Sequence, residues 1–183
     1  MARLTIVDPA QATGETKELF DAVKASMGAI PNVTKALAGS PTALRAFLAL
    51  HNALAGGSLD PAVRERIALG TAEHNACTYC LSAHSFLAKN VAKLGHDEID
   101  AARRFESDDE RIEAGLRFTR AVLEQRGQVS DDDLEQVRAA GYSDAELAEI
   151  VANVALNTLT NYFNRLADPD IEFPRVEPVA VAA

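Results

Sequence analysis

"HNACTYCLSAH", residues 74–84, holds both cysteines of a 183-residue chain and two of its four histidines. Two thiols at CxxC spacing can interconvert with one disulfide, because an oxidised sulfur has a resolving partner close by. On a helix that advances about 100° per residue, Cys77, Cys80 and His84 fall within an arc of about 60°. They share one face, and Cys80 and His84, at i and i+4, are direct neighbours. An ordinary thiol, with a pKa of about 8.5, is only slightly ionised at neutral pH; a helix N-terminus or an adjacent imidazolium brings it to about 7 or below. Cys77 stands at the expected start of its helix, so its own thiolate also gains from the dipole. The pattern points to reversible dithiol–disulfide chemistry with His84 as proton carrier.

Blander readings stand beside this one. Free cysteines often pack as small hydrophobes. A zinc site built from Cys77, Cys80, His84 and either Glu65 or His74 meets a tetrahedral count, but structural zinc joins such a pair to a second ligand pair, and the chain offers none. His51 lies on an apolar stripe and reads as a packed or interfacial histidine. His96, after Gly95, opens a turn or caps a following helix. Asn157, Asn161 and Asn164 form a polar seam in an apolar helix and read as satisfying buried backbone or an interface. Asp131, Asp132 and Asp133 suit the dipole at a helix start.

The elements that must position these residues are helical. Ser40 before Pro41 and Asp60 before Pro61 each place a capping side chain ahead of a proline at the first helical position. Leu44, Phe47, Leu48, His51 and Leu54 then share one face, and Val63, Ile67 and Leu69 mark the next buried helix. A helix over about 77–94 ends at Gly95, read as a left-handed cap. Capping boxes are expected at Ser107 with Glu110, Ser130 with Asp133 and Ser143 with Glu146. "ETKELFDAVKASMG" and "PNVTKALAG" supply two more helices. The expectation is an all-α domain of about eight helices, with boundaries good to about 2–4 residues. The final helix runs to a break at Pro169, and "PDIEFPRVEPVAVAA" has three prolines and no periodicity. A single domain over 1–183 is expected, with its core over about 30–174 and a flexible tail over 175–183.

With 27 acidic and 18 basic residues, the formal charge of −9 repels a phosphate backbone, which argues against nucleic acid as a partner. No apolar run approaches the roughly 20 residues that span a bilayer, and the opening residues lack a signal peptide's apolar centre. The expected location is the cytoplasm, with no membrane association. Leu147, Ile150, Val151, Val154, Leu156, Leu159 and Phe163 put apolar groups on several faces of the last helix. Such a helix is either central to the core or shared between subunits.

"RERIALGTAEHNACTYCLSAHSFLAKNVAKLG" closely resembles the core of the AhpD-like alkylhydroperoxidase group within the carboxymuconolactone decarboxylase superfamily. The group's pattern is a Glu, eleven intervening residues, then C-x-x-C-x-x-x-H, met here by Glu65, Cys77, Cys80 and His84. The likeness extends over about residues 30–174. It implies an AhpD-like helical bundle and an antioxidant peroxidase that reduces hydroperoxides. By the same resemblance Cys80 is the nucleophile, Cys77 resolves it, and Glu65 and His84 relay the proton. No cofactor or metal is implied; the partners are a hydroperoxide, a dithiol or lipoyl-type reductant, and further copies of the chain in a trimer or hexamer. On an uninterrupted helix Glu65 lies outside the arc of the other three, so a break near Asn75 must reorient it. The group's peroxidase has a relay His before the second cysteine, where this chain has Tyr79. The rival class is a non-enzymatic redox-sensing or partner-binding helical module.

Overall fold

In the computed structural model, which describes residues 2–179, a short 3-10 turn, Pro9–Gln11, precedes nine α-helices. They are α1 (Gly14–Met27), α2 (Asn32–Leu37), α3 (Pro41–Ala55), α4 (Pro61–His74) and α5 (Thr78–Asn90). Next come α6 (His96–Arg103), α7 (Glu110–Glu124), α8 (Asp131–Ala139) and α9 (Asp144–Ala167). No strand occurs among the described residues, and no helix there is long and apolar enough to cross a membrane. The fold is all-α, as the helix punctuation indicates.

Ser40 and Asp60 cap α3 and α4 ahead of their prolines. Both halves of the capping box are made at Ser130 with Asp133 and at Ser143 with Glu146. The expected box at Ser107 is not formed: Asp109 caps α7 through the Ile112 N–H, and Ser107 Oγ accepts from the Asp109 N–H instead. Gly95 is likewise not a left-handed cap. It is extended, with φ −69°, and is the N-cap of α6, while Lys93 takes the positive φ of 61°. Helix α6 is the one beyond the expected eight, held to α4 by the ion pair of buried Arg66 with Glu98 at 2.6 Å.

Helix α4 is buried almost all round and packs against α5, α6, α7 and α9. Gly70 in its interior lets the Phe105 ring approach so closely that a Cβ would collide with it. Three apolar clusters make up the core, two of them built on α4. Val63 and Ile67 meet Leu116, Val137 and Ile150 of α7, α8 and α9; Phe20 and Val23 of α1 pack with Leu44 and Phe47 of α3. The third gathers Leu69 and Ala72 of α4, both cysteines, Leu81 of α5 and Ile99 of α6. The expected tail divides at the edge of the described region: residues 180–183 lie outside it, while 168–179 run without regular structure against the third cluster, where Ile171, Phe173 and Val176 pack.

One carboxylate joins α9 to the turn before α4. Glu149 accepts the Ser58 N–H at 2.8 Å and the Leu59 N–H at 3.0 Å, and the first of these chiefly holds its pKa below the usual 4.5. A depressed carboxylate pKa stabilises the fold in full above the unfolded value, and the contribution is lost as pH falls through the folded one. We expect Glu149→Gln to cost about 1–2 kcal/mol at neutral pH. Denaturant midpoints of the two proteins should converge as the pH falls below 4.5.

Candidate active site

The chain breaks between α4 and α5 where the reorientation of Glu65 requires it. Asn75 caps the end of α4, Ala76 is left-handed with φ 50°, and Cys77 is the extended N-cap of α5. A left-handed residue reverses the chain direction, so α5 folds back along α4. Glu65 and His84 consequently meet, with Oε2 2.9 Å from Nδ1. A carboxylate only accepts, so the imidazole donates from Nδ1 and leaves Nε2 as its exchangeable nitrogen. No hydrogen bond joins His84 to either sulfur.

Cys77 Sγ caps α5 by accepting the Cys80 N–H at 3.3 Å. Cys80 is therefore in the first helical turn, where unpaired N–H groups favour negative charge. The two sulfurs are in disulfide contact, their Cα atoms 5.3 Å apart, and the residues are only 1% and 3% exposed. The zinc alternative is not assembled: among the described residues no three His, Cys, Asp or Glu side chains form a metal-holding group, and His74 is exposed.

Helix α9 grips this junction from the far side. Asn75 Nδ2 donates to Asn161 Oδ1 at 3.0 Å, and Arg165 Nη1 donates to the Asn75 carbonyl at 2.6 Å. Asn157 satisfies backbone, donating to the Asn153 carbonyl at 2.8 Å, as a polar seam suggests. Asn164 does something else: its Nδ2 donates to Cys80 Sγ at 3.3 Å. The sequence signals that seam by its spacing; nothing local signals that its last member meets a sulfur 84 positions away.

The segment after α9 crosses the same helix. Val176 N–H donates to Ser82 Oγ and Thr78 Oγ1 donates to Glu177, both at 2.9 Å. Phe173 packs edge-on to Tyr79, ring centres 6.1 Å apart, and also against Phe86. Tyr79 donates its O–H to Glu172 at 2.9 Å and accepts the Val33 N–H at 3.2 Å. Burial pushes the phenol pKa well above its usual value, so Tyr79 stays protonated and is a strut rather than a proton carrier. Tyr79→Phe should therefore lower stability by about 1–2 kcal/mol. The pH dependence of Cys80 alkylation should be unmoved, which peptide mapping over a pH series checks. A cavity of about 190 Å³ opens beside Cys77, lined also by Asn164, Arg165, Asp168 and Arg175.

Residues 41–124, from α3 to the end of α7, match the family model of the carboxymuconolactone decarboxylase family. The segment contains Glu65, Cys77, Cys80 and His84. Among curated proteins none matches. The AhpD core of an uncharacterized peroxidase-related protein from Ralstonia eutropha JMP134 superposes with a TM-score of 0.82 at 28% identity, covering 94% of each chain. An uncharacterized peroxidase-related protein from Silicibacter sp. TM1040 gives 0.79 at 26% identity, over 93% of this chain and 92% of that one. The debrominase Bmp8 shares the fold, with a TM-score of 0.78 at 22% identity over 93% and 92%. Residues 41–124 thus match the carboxymuconolactone decarboxylase family model, and more than nine-tenths of the chain has the fold of AhpD-like peroxidase-related proteins.

Proposed function

We propose that the protein is a CxxC-dependent peroxidase that reduces hydroperoxides at the expense of a dithiol. The observation that carries this reading is the Glu65–His84 pair set beside two cysteines at the N-terminus of α5. His84 takes the Cys80 thiol proton at Nε2 while Glu65 holds Nδ1. The Cys80 thiolate attacks the outer oxygen of R–O–OH. The S–O bond forms as O–O breaks, and the alkoxide leaves as ROH with the proton from His84. The Cys77 thiolate then attacks the Cys80 sulfur, forming the disulfide and expelling hydroxide, which departs as water. A dithiol or lipoyl-type reductant restores both thiols and is itself oxidised to a disulfide. The cavity reaches Cys77, so we assign the reductant's first attack to that sulfur, with the Cys80 thiolate as leaving group.

The thiol-reducing cytoplasm is the compartment that supplies such a reductant. The reduced protein, given a dithiol and either hydrogen peroxide or an organic hydroperoxide, should oxidise one dithiol per peroxide consumed. If reductant oxidation does not track peroxide loss, the reading fails. The tail contacts of α5 favour a second reading, in which oxidation of the pair shifts the packing of residues 173–177 on that helix and so switches an interface. That switch operates without turnover, so the same assay separates the two.

The same reading includes self-assembly, as a trimer or hexamer. Helix α9 buries Leu147, Ile150, Val154 and Leu156, yet leaves Leu159 47% and Tyr162 61% exposed in line with exposed Val151 and Leu166. These positions recur at helical spacing on one stripe, the geometry of a packing face. Light scattering should give several chains for the native protein and one for Leu159→Asp combined with Tyr162→Asp. A native mass of one chain would remove the assembly proposal.

A further inference from the structure

Asn164 is 4% exposed, and its amide is split in its bonding: Nδ2 meets Cys80 Sγ, while Oδ1 is buried without a partner. The orientation has a chemical reason. A thiolate or disulfide sulfur is an acceptor only, so the donor end of the amide gains by facing it, whereas the carbonyl end would be repelled. The acceptor end is then left in the interior, on a residue that lines the cavity reaching Cys77. Buried acceptors are almost always satisfied in folded chains, and this one stands beside an atom whose bonding changes during the proposed reaction.

We infer that Asn164 is a catalytic residue that handles two states of the Cys80 sulfur. Its Nδ2–H stabilises the thiolate, both before peroxide attack and when Cys80 leaves during reduction of the disulfide. Its Oδ1 accepts the O–H of the hydroperoxide and then of the Cys80 sulfenic acid, which slows further oxidation until Cys77 arrives. A cationic side chain at this position would stabilise the thiolate by its charge; the neutral amide instead offers a donor to one species and an acceptor to the next. Asn161, one turn earlier, fixes the seam by accepting from Asn75, so the Asn164 amide is carried on a helix already tied to the junction. The charged and titratable groups around Cys80 are His84 on α5, Glu65 on α4 and Arg165 on α9. Asp168, Arg175 and Tyr79 line the cavity at Cys77, and Tyr79 is hydrogen-bonded to Glu172. Of these side chains, only Asn164 hydrogen-bonds to the Cys80 sulfur.

The acceptor half rests on the peroxidase reading; the donor half does not, and the test keeps them apart. The full-length reduced protein is alkylated with iodoacetamide over a pH series, and modification of each cysteine is followed by peptide mapping. Asn164→Ala should move the Cys80 midpoint up by about one pH unit, a tenfold loss of thiolate at fixed pH. Asn164→Asp, nearly isosteric but bearing a carboxylate, should move it further, with the Cys77 midpoint displaced less in both. A merely structural role predicts the reverse order, because Ala opens a cavity and Asp does not. An unmoved Cys80 midpoint, or an Ala effect equal to or above that of Asp, overturns the donor half. For the acceptor half, Cys77→Ser protein is given excess hydroperoxide, so that oxidant remains for the step beyond sulfenic acid, and the Cys80 sulfenic acid is followed by dimedone trapping. Adding Asn164→Ala should shorten its lifetime several-fold; an unchanged lifetime overturns that half. Shifted midpoints in the Asn164 variants, together with a wild-type protein that consumes no hydroperoxide, would sink the peroxidase reading and leave the thiolate role standing.

Discussion

Cys80→Ser protein should consume hydroperoxide no faster than the dithiol does alone, a loss of about four orders of magnitude or more. A serine hydroxyl stays protonated at neutral pH, so neither the first turn of α5 nor the Asn164 amide has an anion to stabilise. Cys77 does not substitute. Its sulfur is committed to the Cys80 N–H, and it has no contact equivalent to Asn164. Cys77→Ser should behave differently, keeping the attack on peroxide while losing the internal disulfide. Steady-state rates with hydrogen peroxide and an organic hydroperoxide, measured beside circular dichroism of each variant, check the pair.

The second large effect is expected at His84. His84→Ala removes the only imidazole one turn from Cys80 and should lower kcat/KM by about 10²- to 10³-fold, the usual contribution of a positioned acid–base group. Glu65→Gln keeps a side chain of the same shape opposite Nδ1 but not the carboxylate, and should cost about tenfold or somewhat more. The order distinguishes a relay from simple packing. If Glu65→Gln were as severe as His84→Ala, the carboxylate would be needed for more than holding the ring. If neither changed the rate, Cys80 would have to lose its proton directly to solvent. Alkylation of Cys80 at pH near 7 provides a second readout, since it reports thiolate fraction without any turnover.

Local chemistry makes much of this site legible in the sequence. The Ser40–Pro41 and Asp60–Pro61 starts and the boxes at Ser130 and Ser143 are short-range hydrogen-bond patterns, and all four are made. Once the family resemblance assigns Glu65 to the site, the helical angle calls for a break near Asn75, and Ala76 provides it with a positive φ. Helix α6 escaped because "HDEIDAAR" buries only Ile99 and Ala102, too little apolar periodicity to stand out, and is secured by the tertiary ion pair of Arg66 with Glu98. Asn164 was visible as one of three spaced asparagines, yet its partner is fixed by how α9 crosses α5, which no spacing encodes. The same holds for Ile171, Phe173 and Val176: a proline-rich stretch reads as irregular, which it is, while its docking on α5 depends on surfaces assembled from distant residues.

The central claim is that Cys80 receives an oxygen from the hydroperoxide and Cys77 removes it. Its most direct test is a single turnover: reduced Cys77→Ser and wild-type proteins are each mixed with one equivalent of an organic hydroperoxide and analysed by intact mass and peptide mapping. The account predicts one added oxygen on Cys80 in Cys77→Ser, trapped by dimedone. In the wild type it predicts a Cys77–Cys80 disulfide, with the hydroperoxide recovered as its alcohol in both cases. Two free thiols and intact hydroperoxide in the wild type, or oxygen on any residue other than Cys80 in the variant, would contradict it.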